Sequence, residues 1–364
     1  YIYMKILWIS GREIGSDLAS STEVGIFTSL VKLGHDVQIM SPGENKKWGE
    51  KHIKINNKKF PGLVTITGAI DLGKKIDSIL FEQAYDFILI DWRYVYFLRK
   101  RLSKLKIPWF MVDRGPPVYK NWKLRLQKIT WKKSWKFSRK HCKAGIIVSS
   151  NHANFIERYA DVKMNFIIAP SGTSFPSLTE KKEYNILNFI YIGQIDKRRD
   201  IDSIIKLKET LDKFGVRNNI TIIGEGDYKD RIKKLTSKIS DFNVLSKMKR
   251  DDINIILKRS HFGLMPMPKI PIWEMSSPIK ISEYARNGLI IIGPKHEGNM
   301  WGRDVPWIIL SEKKDWWEDV TTKILKIQME GNLEKYSLNA IQDSDDRTWD
   351  NIAAELINEV EKYI

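Results

Sequence analysis

Two short stretches of this 364-residue chain concentrate the residue types that bind a diphosphate. Gly193-Gln194-Ile195-Asp196-Lys197-Arg198-Arg199 follows an apolar run and presents three consecutive cations before a helical segment. Cations beside a helix N-terminus offer an anion both charge and backbone N–H donors. Ser276-Ser277-Pro278-Ile279-Lys280-Ile281-Ser282-Glu283 opens another helix, in which Lys280 and Glu283, three apart, share a face. A surface ion pair is the plainer explanation for those two. Gly11 to Gly15 and Gly224-Glu225-Gly226 are glycine-flanked turns where backbone turns tightly or approaches a ligand. Asp113 ends an apolar run just before Arg114-Gly115-Pro116-Pro117.

The elements that must position these residues are strands and helices in alternation. Lys5 to Ile9, Val37 to Met40, Phe87 to Asp91, Pro108 to Val112, Ile146 to Ser149 and Phe166 to Ala169 read as buried strands, with helices between them. The polar stretch Ser171 to Tyr184 reads as a linker. The rhythm then restarts with Phe189 to Ile192, Ile220 to Ile223, Val244-Leu245, Phe262 to Met265 and Leu289 to Ile292. This pattern predicts an α/β protein of two domains, each with a parallel sheet covered on both faces, and a cleft between them. Ligands bind at the carboxyl ends of such strands, where the glycine turns fall.

The chain carries 61 Lys and Arg against 44 Asp and Glu. Ten of the seventeen excess positive charges sit in Tyr119 to Lys143, a stretch without a single acid. Projected on a helix, Trp122, Leu126, Ile129 and Phe137 form a stripe suited to the core, and Leu124, Trp131 and Trp135 fall opposite, flanked by Lys120, Lys128, Lys132 and Arg139. Indoles ringed by cations, here Trp131, Lys132, Trp135, Lys136 and Arg139, predict contact with an anionic membrane surface. A solvated basic face is the bland alternative. Nucleic acid is disfavoured, because no zinc-finger pattern, RNP motif or basic zipper accompanies the patch. No apolar run reaches the ~20 residues of a bilayer span, and the amino-terminal stretch lacks a small-residue cleavage site, so no signal peptide is expected. One cysteine excludes a disulfide scaffold or a Cys-based zinc site, and the six histidines show no i, i+4 ligand pairing, so no metal is expected. Asp343-Ser344-Asp345 reads as a helix cap rather than a metal motif.

In order and spacing, Gly193-Gln194-Ile195 with Arg199, Ile223-Gly224-Glu225-Gly226, and Pro278 to Gly288 resemble the GT-B glycosyltransferases of family 4. Leu33-Gly34-His35-Asp36-Val37 is similar to that family's GHxV turn, Ala169-Pro170-Ser171-Gly172-Thr173 to its hinge, and Trp349 with the following helix to its terminal segment. The resemblance spans nearly the whole chain. It implies two Rossmann-like domains facing across a cleft. Residues 1–172 would take the acceptor and the membrane, 173–345 the nucleotide-sugar, and 346–364 would return to the first domain. It further implies retaining transfer of a sugar from a nucleotide-diphosphate sugar, with neither metal nor cofactor.

Carried over by position, Arg199 takes the family's diphosphate-binding Lys place. Gln194 stands where the family has Arg, which leaves Lys197, Arg198 or Lys280 to supply that charge. Glu283 matches the second Glu of the Glu-x7-Glu motif, which holds ribose hydroxyls, and the first falls on Met275. The Ser-Pro-x-Lys form resembles a branch without that first Glu. Gly15, Gly193, Gly224, Glu225, Met248, Ser277 and Pro278 complete the expected donor-binding set, with Gly193 and the Gly15 loop donating N–H groups. Arg199 and Lys280 are expected to neutralise the leaving diphosphate. Asp113 is expected to orient or deprotonate the acceptor hydroxyl, with capping of its turn as the plainer role. The overall expectation is a transferase acting on a lipid-linked or membrane-borne acceptor, cytoplasmic and peripheral on the inner face of the cell membrane. A nucleotide-sugar 2-epimerase and a non-catalytic nucleotide-sugar-binding protein are the rivals.

Overall fold

The computed structural model describes residues 3–14, 20–43, 46–58, 63–117 and 122–364. The chain divides into two units, Tyr1–Gly172 with Trp349–Ile364, and Thr173–Thr348.

The first unit runs β1 (Lys5–Ile9), α1 (Ser21–Lys32), β2 (Asp36–Ser41), β3 (His52–Lys54), α2 (Val64–Glu82), β4 (Phe87–Asp91), α3 (Trp92–Leu102), β5 (Trp109–Val112), α4 (Trp122–His141), β6 (Gly145–Ile147), α5 (Ser150–Ala160) and β7 (Phe166–Ile168). Its strands pair in parallel in the order β3-β2-β1-β4-β5-β6-β7. The second unit runs β8 (Leu187–Ile192), α6 (Asp202–Lys213), β9 (Asn218–Ile223), α7 (Lys229–Thr236), β10 (Phe242–Leu245), α8 (Arg250–Arg259), β11 (Phe262–Leu264), α9 (Pro271–Glu274), α10 (Ile279–Arg286), β12 (Ile290–Pro294), β13 (Ile308–Ser311), α11 (Trp316–Met329) and α12 (Leu333–Asp343). Its parallel sheet has the order β10-β9-β8-β11-β12-β13. Finally α13 (Trp349–Glu361) returns to the first unit and packs on α1, where Asp350 accepts a hydrogen bond from Ser29 Oγ at 2.6 Å.

Each sheet starts near its centre, grows to one side, then crosses back. Strand order therefore reverses between β1 and β4 in the first unit and between β8 and β11 in the second. At such a point the loops leaving adjacent strands diverge and open a crevice. The central strands read as continuous apolar runs because both faces are covered: β4 and β5 are buried throughout. Strand β3 lacks the long apolar run that betrays a central strand, and it lies at a sheet edge.

Helix α4 is rotated relative to the sequence expectation, although Phe137 packs against the core as expected, stacked on Trp109. Trp131 and Trp135 are 1% and 0% exposed, and with Ser134 and Ser138 they make the inward stripe, whereas Leu126 and Ile129 face solvent. The indoles point inward because their N–H groups have a buried acceptor. Trp131 Nε1 donates to Asp113 Oδ2 at 2.6 Å and Trp135 Nε1 to the same oxygen at 3.1 Å. Two serines disguised the stripe by reading as polar, yet Ser134 Oγ bonds the Trp92 carbonyl at 2.8 Å and Ser138 Oγ lies 3.1 Å from Met111 Sδ. The expectation that Trp131 and Trp135 meet a membrane is therefore corrected: both belong to the core. Burial pushes the Cys142 thiol, near the end of that helix, up to about 12.

The stretch expected to be a linker is also packed. Phe175 and Leu178 are buried, and Lys182 Nζ donates to the carbonyls of Ser260, Asn287 (2.6 Å) and Gly288 (3.3 Å). The Ser260 and Asn287 carbonyls close α8 and α10, at the negative end of each helix dipole. Burial pulls the Lys182 pKa down to about 7. Lys182→Met is expected to lower stability by about 2–4 kcal/mol, because it strands buried carbonyls without donors. Thermal unfolding measures this, and an unchanged melting temperature would contradict the clamp.

Candidate functional site

The chemistry of the second unit gathers where its strand order reverses. After β8 the chain passes Gly193, whose φ of 148° suits glycine and whose Cβ would lie 2.8 Å from Lys280 Nζ. The next turn is as tight, since a Cβ on Gly224 would sit 1.8 Å from the Gly193 carbonyl oxygen. These turns continue the ladder: Gly193 N–H donates to Ile223 O at 2.9 Å and Ile195 N–H to Glu225 O at 2.8 Å. The Gly193 N–H is thus occupied, which corrects the expectation that it serves a ligand. Gly15 lies outside the described residues.

Helix α10 supplies the central cation. Its Tyr284 ring packs against Gly263 of β11, with the hydroxyl accepting the Ile192 N–H at 3.0 Å. Lys280, one turn earlier on the same face, is thereby held over the end of β8. Its Nζ is buried, 4.2 Å from the Tyr191 ring centroid, and has no hydrogen-bond partner among the described residues. Burial, reinforced by Arg199, drives its pKa well below the usual lysine range, and Glu283 and Asp196 only partly offset this. A buried ammonium without an acceptor is costly. An anionic ligand would supply the acceptor that the chain does not.

Arg199 is held alongside. Its Nε donates to Asp196 Oδ2 at 3.1 Å and its guanidinium lies 4.8 Å from the Trp273 ring centroid. Asp196, 5% exposed, also caps the turn Lys197–Arg199 by accepting the Arg198 N–H at 3.0 Å. Lys197 and Arg198 are exposed beside it. Burial lifts the Glu283 carboxyl to about 7 against the pull of Arg250 and Lys280, and Arg250 reaches it at 3.5 Å. Glu225 is exposed, its Oε1 taking Lys229 Nζ at 2.8 Å and the Lys247 N–H at 3.1 Å. Met248 is half-buried against the core, and Ser277 and Pro278 form the approach to α10, whose N-terminus has no side-chain cap. The structure thus brings together Gly193, Arg199, Lys280 and Glu283. Sequence reasoning missed Tyr191 and Asp196. Tyr191 stands two residues before Gly193 and so carried a positional signal.

Asp113 is not a free carboxylate. It is 0% exposed, its Oδ2 takes both indoles, its Oδ1 takes the Gly115 N–H at 2.9 Å, and His152 Nε2 stands 3.5 Å from Oδ2. Burial pushes its pKa up, but His152, the indole and the Gly115 N–H outweigh burial and hold it below the usual carboxylate range. The expected role at an acceptor hydroxyl is corrected accordingly: this aspartate is a hub of the core. Around the ends of β1 and β4 lies a further ionic cluster. Arg12 pairs with Glu23 at 3.1 Å, Arg93 with Asp91 at 2.6 Å, and Arg114 donates to the Ala169 carbonyl and, at 3.2 Å, to Ser171 Oγ. Among the described residues, no group of three or more His, Cys, Asp or Glu is arranged to hold a metal ion, and no helix is long and apolar enough to cross a membrane. The Asp343 to Asp345 string ends α12 rather than capping the last helix, and Asp343 accepts from Trp307 Nε1 at 2.7 Å and pairs with Arg303 at 2.8 Å.

No protein-family model and no curated protein sequence matches the chain. Its fold does match solved structures. A sucrose-phosphate synthase from Thermosynechococcus elongatus superposes with a TM-score of 0.74 at 11% identity, covering 99% of this chain and 98% of that one. The Anabaena protein HepE in complex with UDP gives 0.70 at 11% identity, covering 99% and 100%, and the same protein has been solved with UDP-glucose. WaaG, a glycosyltransferase involved in lipopolysaccharide biosynthesis, gives 0.66 at 13% identity, covering 98% and 99%. The chain therefore has the two-sheet α/β fold of GT-B glycosyltransferases.

Proposed function

We propose that this chain is a retaining, metal-independent glycosyltransferase of the family-4 type, which moves a sugar from a nucleotide-diphosphate sugar to a lipid-linked or membrane-borne acceptor. The single observation that carries the reading is the buried, unpartnered Lys280 Nζ at the end of β8, with Arg199 beside it. As the bond from the sugar's anomeric carbon to the β-phosphate oxygen breaks, charge builds on the diphosphate, and these cations, with Lys197 and Arg198 at the rim, stabilise it. The acceptor oxygen forms the new bond, its proton departs, and the nucleoside diphosphate leaves. Glu283 offers the donor's ribose a carboxyl group near its own titration point. Solved relatives of the fold that carry UDP or UDP-glucose favour the same donor class.

A thermal-shift panel of nucleoside diphosphates and nucleotide-sugars tests this, since a ligand that binds only the folded chain raises its melting temperature. At least one diphosphate should raise it and the matching nucleoside should not. A flat panel would contradict the reading. A non-catalytic nucleotide-sugar-binding protein is the second reading, favoured by exposed Gln194 and buried Met275 at two positions where the resembled family carries charge.

The membrane part of the proposal, at the inner face of the cell membrane, now rests on the outer face of α4. Leu126 and Ile129 are 57% and 51% exposed there, followed along the helix by exposed Lys133, Lys136, Arg139 and Lys140, with Lys132 half-buried. Aliphatic side chains leading a cationic stripe suit an anionic bilayer at about 1 kcal/mol per basic residue near the surface. The link of WaaG to lipopolysaccharide biosynthesis favours an acceptor of that kind. Replacing Leu126 and Ile129 with Ser, and Lys136 and Arg139 with Gln, should weaken sedimentation with phosphatidylglycerol vesicles at least tenfold and leave nucleotide binding intact. Unaltered sedimentation would refute docking through this face.

A further inference from the structure

Helix α10 carries Lys280 and Glu283, and it is fixed in place by contacts outside the donor site. The stretch from Thr173 to Lys182, where the chain enters the second unit, packs on α8 and α10. Arg286, in the last turn of α10, donates from Nε to the Phe175 carbonyl at 3.2 Å, and its own carbonyl accepts the Leu178 N–H at 3.0 Å. The same guanidinium donates to Ser344 Oγ at 3.2 Å and pairs with Asp345, on the stretch by which the chain leaves the unit. On α8, Lys258 pairs with Glu180 at 2.7 Å, and the Arg250 guanidinium lies 4.2 Å from the Phe175 ring centroid.

Lys182 closes this strap. Its ammonium group has three donors, and they meet the carbonyls of Ser260, Asn287 and Gly288. Ser260 ends α8 and Asn287 ends α10, so one buried side chain ties two helices together. An exposed pair such as Lys258 with Glu180 adds at most about 1 kcal/mol, whereas hydrogen bonds from a buried charged donor are about twice as strong as neutral ones. The fixing of α8 against α10 therefore falls chiefly on Lys182. Lys280 stands about two turns before Asn287 on the same helix, too short a length to bend, so play at the end of α10 becomes play at Lys280 Nζ. Arg250 opens α8 and reaches Glu283 at 3.5 Å, so the same slack would part that pair.

We propose that Lys182 is a positioning residue of the donor site: by tying the ends of α8 and α10 it holds Lys280 over β8 and Glu283 against Arg250, without touching the ligand. A misplacement of about 1 Å from a remote change can lower a rate about 100-fold. The inference rests on the donor reading for its consequence and on the fold alone for its ligand-free readout.

Two measurements on the full chain test it: hydrogen exchange read by mass spectrometry, and calorimetric binding of UDP, GDP, ADP and dTDP, both well below every variant's melting temperature. Lys182→Met should speed exchange in α8 and α10 more than in α6, and should weaken the bound diphosphate tenfold or more. Ile324→Ala, which opens a cavity beneath α11, controls for lost stability; it should keep diphosphate affinity within twofold and leave α10 protected. Unchanged diphosphate affinity in folded Lys182→Met, or equal loss of α10 protection in Ile324→Ala, would overturn the proposal. If Lys182→Met does not fold, Lys182→Gln replaces it, because it is shorter and has two donors for three carbonyls. Native exchange in α10 of Lys182→Gln would likewise overturn the proposal. Binding of no diphosphate by the unaltered chain would sink the donor reading instead, and the exchange of α10 would still decide whether Lys182 holds that helix.

Discussion

Lys280→Met is expected to abolish nucleotide-sugar turnover and, at the same time, to raise the melting temperature of the unliganded protein. Loss of one preorganised electrostatic contact to a leaving group lowers the rate by about 10²–10³-fold. The stability gain has the opposite origin. The ammonium is buried over Tyr191 without an acceptor, and methionine fills similar volume with no desolvation cost, an exchange worth about 1–3 kcal/mol. The titration adds a sign that distinguishes this from general damage. Because the folded pKa lies well below the usual lysine value, the unfolded chain binds more protons between the two values, and stability rises with pH across that window. Lys280→Met should flatten that rise. A bound diphosphate restores the protonated form, so UDP binding above the folded pKa should take up a proton, seen as a dependence of the calorimetric enthalpy on the buffer's ionisation enthalpy. Proton-neutral binding, or a lower melting temperature for Lys280→Met, would contradict the role assigned to this residue.

Asp113→Asn is expected to cost about 3–5 kcal/mol of stability, the range for breaking a buried charged network. The carboxylate accepts two indole N–H groups and a backbone N–H. An asparagine keeps one acceptor oxygen and turns an NH2 toward groups that can only donate. The carboxylate's folded pKa is depressed, so its stabilisation is present above the unfolded value of about 4 and is lost as pH falls through the folded value. Asp113→Asn should therefore reduce acid sensitivity along with total stability. Thermal unfolding between pH 3 and pH 7 reads both effects. An unshifted melting temperature at pH 7 would mean that the hub is not structural.

Much of the architecture was legible because buried parallel strands announce themselves as apolar runs bounded by glycine and polar turns. Phe87 to Asp91 and Ile220 to Ile223 are clear instances. His52–Lys54 was not, since an edge strand needs no long apolar run. In the candidate site, Gly193, Arg199 and Lys280 were readable from residue type beside a strand end. That Gly193 spends its N–H on Ile223, and that Asp196 steers Arg199, follows from tertiary pairing that sequence spacing does not encode. The face of α4 was misread for a physical reason. Tryptophan beside lysine suits both a bilayer surface and a core with a buried acceptor, and the acceptor, Asp113, lies 18 residues from Trp131 in the chain. Lys182 gave no signal at all, because the carbonyls that surround it lie 78 to 106 residues away in the chain.

The most direct test of the central claim is release of nucleoside diphosphate from a panel of nucleotide-sugars by the purified chain, with and without a membrane-lipid extract as acceptor source. The unaltered protein should release it from at least one donor, the extract should stimulate that release, and Lys280→Met should lose it. No release from any donor, or equal release by Lys280→Met, would contradict it.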